Sequence, residues 1–461
     1  MPVLAAFLLP HPPLIMPEVG HGEEKKIIST IDAYKKVAEQ VDRINPDTVV
    51  IISPHSVMYG DYFHISPGKG SSGSFAGFGA PQLAVKADYD EQFVSALGKI
   101  CRKADIPAGI LGEQDPSLDH GTMIPLRFLQ AAGGHFRVVR IGISGLTPVM
   151  HYNFGRCIAH TAALLGRKLV VIASGDLSHK LRPEGPYGFS ESGPKFDRLT
   201  IEALKKGDFL SLLQLDPDFY ESAAECGLRP LWITAGALDR RWIKSTVYSY
   251  EGPFGVGYGI AGLIPEAKVE SRNIGDQLQA WQDEQRIKRM ASEDEYVRLA
   301  RLSLETYIKT GRRSRLPEKV TTELLEKQAG AFVCLKIDGR LRGCIGTVLP
   351  ATECIAYEIM MNAVSAGTCD SRFPKVTEQE LQDIVYSVDV LTEPEEIDSL
   401  EKLDVHKYGV IVESGDRRGL LLPDLSGVET PEQQVNIARE KGAISPGDQF
   451  KLYRFEVVRH K

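Results

Sequence analysis

Three short apolar runs in this chain each stop at a histidine, and that repetition constrains the fold more than any other feature. Val3 to Leu9 leads into Pro10-His11-Pro12-Pro13, Val49 to Ile52 into Ser53-Pro54-His55-Ser56, and Leu169-Val170-Val171-Ile172 into Ala173-Ser174-Gly175-Asp176-Leu177-Ser178-His179. A continuous apolar run offers no polar face to water, so each reads as a strand buried on both sides, as in a parallel sheet covered by helices. In such sheets ligands bind in the crevice beyond the carboxyl ends of the strands. Three histidines delivered there predict one shared site.

The segments between these runs supply the helices. Glu23 to Ile44 carries Ile27, Ile28, Ile31, Tyr34, Val37, Ala38 and Val41 at helical intervals, and Asn45-Pro46-Asp47 stops it. Strand, helix and strand then make a βαβ unit. Asp90 to Lys103, Tyr152 to Leu165 and Lys195 to Lys206 read as further helices, and Val138 to Ile143 as another buried strand. The stretch from Gly60 to Pro81 is rich in Gly, Ser and Phe but lacks the GxxxxGK[ST] order of a phosphate cradle, so it reads as a surface loop or hairpin. Pro230 suits the first turn of a helix through Leu238, and Thr246 to Tyr250 with Val256 to Leu263 read as a late edge hairpin.

A chain of 461 residues exceeds one ordinary core, since domains run to roughly 100 to 200 residues. The apolar content falls away after Pro265, and residues 266–289 are polar and charged, which reads as a partly helical linker between domains at 1–265 and 290–461. Ser292-Glu293-Asp294-Glu295 has the form of a capping box opening a helix, and Thr430-Pro431-Glu432-Gln433 has it again. A net charge of -7 favours solubility without pointing to a partner, and nucleic acid is not indicated. The seven cysteines are scattered and never spaced as CxxC, so they predict free thiols in a reducing compartment. With no basic n-region before the first apolar run and no run near the roughly 18 residues of a membrane span, the expectation is a cytoplasmic chain.

His11, His55 and a later acidic residue meet the needs of a two-histidine, one-carboxylate metal site. Such a set leaves one face open for substrate and oxygen, and non-haem Fe(II) favours it, with other divalent metals as competitors. Glu225, at a turn before a helix, is the acid best placed, while Cys226 beside it is a softer ligand. Adjacent side chains usually point apart, so one of the two is expected to coordinate. A lone histidine at a strand end is more often a satisfied structural residue than a ligand. Four of them, His11, His55, His120 and His179, each in a turn-rich segment, weaken that reading. Asp176, three residues before His179, is placed to orient its imidazole.

His11-Pro12-Pro13-Leu14, Ser53-Pro54-His55-Ser56, Asp119-His120-Gly121 with Pro125-Leu126, and Ser174-Gly175-Asp176-Leu177-Ser178-His179 together resemble the catalytic LigB-type subunit of class III extradiol ring-cleavage dioxygenases. Cys226-Gly227-Leu228-Arg229-Pro230 resembles the Cys-Gly-x-x-Pro segment of the related Memo proteins. The dioxygenase resemblance implies Fe(II) on His11, His55 and a glutamate, His179 as acid/base toward a small catechol-like aromatic, and His120 as a second contact to substrate or oxygen. A neutral imidazole, with a reference pKa of about 6.5, suits that proton transfer. The chain departs from the ring-cleaving pattern at Glu225-Cys226, where the Memo-like cysteine stands.

In the second domain, Arg340-Leu341-Arg342-Gly343-Cys344-Ile345-Gly346-Thr347 and Ser371-Arg372-Phe373-Pro374 closely resemble the AMMECR family, which implies an α+β domain of no established activity. By itself the first of these stretches reads as a strand with glycines at a bulge and a buried cysteine. The sharper reading gathers Arg342, Cys344 and Arg372 into a cationic pocket that lowers the thiol's pKa. Memo-like and AMMECR-like domains together resemble a system that also includes a radical S-adenosylmethionine protein, which would have to be a partner, because this chain carries no cluster-binding cysteine motif. The leading expectation is therefore a two-domain, metal-dependent oxidoreductase of extradiol dioxygenase type. The alternative is a Memo-like metal-binding partner protein that does not cleave rings.

Overall fold

The three histidine-tipped runs are neighbouring strands of one sheet. In the first part of the chain the strands are β1 (Val3–Leu9), β2 (Thr48–Ser53), β3 (Phe63–His64), β4 (Gly70–Phe75), β5 (Ala80–Asp88), β6 (Ala108–Gly109), β7 (Arg137–Gly142), β8 (Leu169–Ser174), β9 (Arg241–Glu251) and β10 (Tyr258–Lys268). The main sheet has the order β7-β2-β8-β1-β10-β9. β7, β2, β8 and β1 run parallel, and β10 and β9 close the far edge antiparallel, as the late hairpin predicts. Registry sets Leu9 beside Ser174 and Ile52 beside Ala173, so the segments that carry His11, His55 and His179 leave the sheet at one level.

Every residue of β2 and β8 is buried, which is why their sequences show no alternation. The alternation lies between two cores. Ala6, Leu8, Val50, Ile52 and Val171 face one apolar cluster, and Ala5, Phe7, Leu9, Val49, Ile51 and Val170 face the other. Helices Glu91–Lys103, Pro148–Leu165 and Leu228–Ala237 cover the first face, while Ile28–Ile44 and His120–Ala131 cover the second. Helices Pro148–Leu165 and Leu228–Ala237 cross where Gly155 meets Gly236. A Cβ on Gly155 would lie 2.8 Å from Ala237 N, so only glycine allows that approach. The crossing holds the second helix, which begins just after Cys226, against the sheet.

The computed structural model describes residues 2–337, 339–425 and 427–461, and the chain divides into units Met1–Gln282 and Asp283–Lys461. The segment read as a linker is instead the end of β10 followed by the helix Ile274–Ser292, whose Ile274 and Leu278 are buried in the first unit's core. Two apolar anchors one turn apart suffice to dock a helix that is otherwise polar, and they carry the first unit past residue 265. The stretch Gly60 to Pro81 is largely the β4–β5 hairpin.

After the end of helix Ile274–Ser292, the second unit has Glu295–Thr310 as its first complete helix. Its strands are β11 (Ala331–Ile337), β12 (Arg340–Gly346), β13 (Val385–Leu391), β14 (Glu395–Ile397), β15 (Gly409–Ser414), β16 (Arg417–Leu421), β17 (Lys451–Phe455) and β18 (Val457–His460), in two sheets ordered β12-β11-β13-β18 and β14-β17-β15-β16. Helices Glu295–Thr310 and Ile355–Thr368 pack on the first sheet and Pro431–Lys441 on the second, an α+β arrangement. The Thr430 capping box forms as expected. The one read at Ser292 does not: Asp294 is the cap, accepting from Val297 N at 3.0 Å, and Glu293 turns inward to Arg301 at 2.9 Å. Among the described residues no helix is long and apolar enough to cross a membrane.

Candidate metal centre

The site is assembled by the turn after β8, which touches both of its neighbours. Gly175 N donates to Leu9 O at 2.9 Å, and Asp176 Oδ1 accepts from His11 N at 2.8 Å, so β1 and β8 hold each other just where His11 leaves the sheet. The same turn grips the segment before helix Leu228–Ala237. Cys226 N donates to Asp176 O, and Asp176 N donates to Cys226 Sγ at 3.2 Å. This contact needs glycine at position 175: a Cβ there would lie 2.9 Å from Gly227 N and 3.1 Å from Cys226 O. The remaining arm comes from β2. Ser53 Oγ accepts from His55 N at 3.2 Å and donates to Asp119 Oδ1 at 2.5 Å, and Asp119 also caps the helix that begins with His120.

These turns bring together residues far apart in the chain. His11 Nε2 and His55 Nε2 are 3.0 Å apart, and Cys226 Sγ is 3.6 Å from His11 Nε2. One ligand atom from each of His11, His55 and Cys226 fits within a span of 4.8 Å. His120 stands beside them, its ring centroid 4.1 Å from that of His55, and His179 Nε2 lies 3.8 Å from Cys226 Sγ. The tautomer of His11 follows from its neighbours. Ser174 Oγ gives its one proton to Gly121 O at 2.5 Å, so it accepts from His11 Nδ1 at 2.9 Å, and the Nε2 lone pair faces the site.

Electrostatics fit the same donor set. Burial, reinforced by the charges of His55, His120 and His179, holds His11 well below the usual histidine range. Burial likewise brings His120 and His179 to about 4, each with a smaller push from His55. The rings are therefore neutral near pH 7, the form in which histidine binds metals. Burial pushes the Cys226 thiol well up, with Asp176 and Glu225 adding to it, so a thiolate there calls for a cation at the site. A close set of neutral nitrogens and a thiol is what a transition metal requires, and the residues fit such an ion.

Two sequence expectations are corrected here. Glu225 is not at the centre: its Oε2 accepts from Leu228 N at 2.6 Å, satisfying a donor at the helix start, and burial raises its carboxyl to about 7. Cys226, and not Glu225, has a ligand atom grouped with those of His11 and His55. Asp176 is not hydrogen-bonded to His179, their nearest charged atoms being 3.9 Å apart, and its carboxylate positions the His11 backbone. His179 is instead stacked under Tyr187, with centroids 5.1 Å apart, and Phe78 packs edge-on to His120 at 5.3 Å. Sequence reasoning missed both aromatics. Phe78, in the glycine-rich stretch beside Gly77 and Gly79, was the available signal.

In the second unit Arg372 meets Cys344, donating from Nη2 to Cys344 O at 3.3 Å, but no cationic pocket around a free thiol results. Cys334 and Cys344 face each other across β11 and β12 and are joined as a disulfide, so Cys344 offers no thiol and the chain does not hold seven free ones. Both cations are already engaged. Arg342 is bidentate to Glu380, with Nε–Oε1 at 2.6 Å, and Arg372 is bidentate to Asp370 at 2.7 and 2.9 Å.

Comparison with known proteins gives the same division of the chain. Residues 5–261 match the family described as the catalytic LigB subunit of aromatic ring-opening dioxygenase, and residues 297–460 match AMMECR1. Protein CA_C1420 of Clostridium acetobutylicum is 40% identical over 463 residues, covering 99% of this chain and 98% of its own. A protein of Thermotoga maritima is 49% identical over 174 residues, 37% of this chain and 100% of that protein. Among solved structures, uncharacterized protein PH0010 from Pyrococcus horikoshii shares 32% identity over 36% of this chain and 88% of its own, with a TM-score of 0.34.

Proposed function

We propose that this chain, which belongs to the family of the catalytic LigB subunit of aromatic ring-opening dioxygenases and carries an AMMECR1 domain, is a metal-dependent oxidoreductase acting on a small aromatic substrate. The observation that carries this reading is the convergence of His11 and His55, beyond the ends of β1 and β2, with Cys226, just before helix Leu228–Ala237. They would hold one transition-metal ion, ferrous iron being the ion the family resemblance implies. When bound, that ion would supply Lewis acidity and a route for electrons between an aromatic diol and oxygen.

The chain's own residues supply the rest. Neutral His179 can accept a phenolic proton near pH 7, and His120, beside His55, can hydrogen-bond a second oxygen. Tyr187 is 59% and Phe78 39% exposed, yet each lies on one of these histidines, so a planar ring entering the crevice meets aromatic walls.

The sulfur favours a second reading. Cys226 replaces a hard carboxylate by a soft thiolate and shifts the centre toward zinc or copper. That suits a Memo-like metal-binding protein that acts with a radical S-adenosylmethionine partner and leaves rings intact. The test is metal analysis of anaerobically purified protein, followed by oxygen uptake across a catechol panel. Iron with catechol-dependent uptake and a yellow product supports the first reading. Zinc or copper with no uptake refutes it in favour of the second.

A further inference from the structure

Beyond the first centre, the first unit encloses a second group of polar side chains that the proposed chemistry does not use. It lies over the free edge of β7, where Ile65 and Tyr89 bridge to Ile141 and Val138 and Ser66 N donates to Arg140 O. His64, at 0% exposure, has no hydrogen-bond partner at either ring nitrogen. Ser66 Oγ, Tyr89 OH and Glu113 Oε1 are also buried, with Ser66 facing both Tyr89 and Glu113. Leaving a buried donor or acceptor unpaired costs about 1–3 kcal/mol each, so an assembly of this kind is built to hold something.

The charge balance says what. Arg140 is the cation of the chamber, and Asp119 already meets it at 3.1 Å. Glu113 remains, its carboxyl raised by burial, against an imidazole that burial and Arg140 keep neutral, its pKa lowered to about 4. The chamber is therefore acidic and suits a cation better than an anion. His64 Nε2 and Glu113 Oε2 lie 3.8 Å apart, close enough for both to reach one ion at ordinary bond lengths of about 2.0–2.2 Å.

We infer that His64 and Glu113 form a second divalent transition-metal site, with Ser66 and Tyr89 hydroxyls and water filling the remaining positions. An imidazole and a carboxylate select a borderline ion such as zinc or cobalt(II) over calcium or magnesium. The site is separate from His11, His55 and Cys226 and does not depend on the function proposed for them.

Equilibrium dialysis of the full chain against cobalt(II) tests this. Wild type is expected to bind about two equivalents, one per site. A variant with His11→Ala and His55→Ala should keep one, lacking the thiolate-to-cobalt charge-transfer band expected of a site that includes Cys226. Adding Glu113→Gln or His64→Asn to that variant should weaken the remaining site at least tenfold. Glu113→Gln is isosteric at a side chain that is 18% exposed, so it reports even if His64→Asn disturbs folding. Cobalt binding unchanged by either substitution, or no equivalent left once His11 and His55 are removed, would overturn the inference, since water alone would then fill the chamber.

Discussion

Gly175→Ala is the most searching perturbation of the metal centre, because it alters no ligand. The added Cβ would lie 2.9 Å from Gly227 N, against about 3.4 Å for an ordinary contact, and Gly227 Cα is nearer still. The two turns must part by at least about 0.5 Å, the difference of those distances. Metal sites keep ligand distances to within about 0.2 Å, so Cys226 cannot stay in place relative to His11. Metal affinity should fall roughly 10- to 100-fold, the range seen when the support of a ligand is disturbed. Stability without added metal should fall by only about 1–3 kcal/mol, the usual cost of overpacking. The assay is competition with a chromophoric chelator, alongside calorimetry. Gly98→Ala is the control. Open space surrounds Gly98 within its helix, so the substitution should add about 0.5–1 kcal/mol and leave affinity unchanged. If Gly175→Ala binds metal as wild type does, the claim that this contact positions Cys226 is wrong.

Four further outcomes follow. Cys226→Ser should lower metal affinity by at least about 10- to 100-fold, while Glu225→Gln, which keeps an acceptor for Leu228 N, should retain it; titration of both variants decides the third ligand. Denatured but unreduced protein should titrate five thiols, Cys101, Cys157, Cys226, Cys354 and Cys369, and a count of seven would refute the Cys334–Cys344 disulfide. Buried His151 donates from Nδ1 to Thr147 O and accepts from Ser144 N, and burial lowers its pKa to about 3. Because the unfolded chain binds that proton from about pH 6.5 downward and the fold does not, its contribution is intact above 6.5 and shrinks by about 3 kcal/mol by pH 4. Stability of His151→Gln should decline less steeply over that window in urea titrations. Arg301→Ala should destabilise the second unit by about 3–5 kcal/mol, since it leaves Glu293 buried without its partner; an unchanged melting transition for that unit would contradict this.

Much of the fold was legible in the chain because its signals are local. Continuous apolar runs gave a buried parallel sheet, and helical spacing placed the helix through Ile44. Where reading failed, a longer-range contact outweighed local composition. Residues 266–289 look like a linker until Ile274 and Leu278 find the core of the first unit. Ser292 looks like a cap until Glu293 pairs with Arg301.

At the site itself, the chain alone determined which residues arrive: each of His11, His55 and His179 follows its own strand, and strand length is written in the apolar run. Only the tertiary structure decided what they meet. Glu225 is the better placed of two adjacent candidate ligands until the helix start claims its carboxylate and the Gly175 turn grips the sulfur of Cys226. Cys344 reads as a buried cysteine or an activated thiol in the sequence and becomes half of a disulfide once the register of β11 and β12 sets it opposite Cys334. Periodicity records which face a side chain takes. Which partner waits on that face depends on strands and turns brought together only by folding.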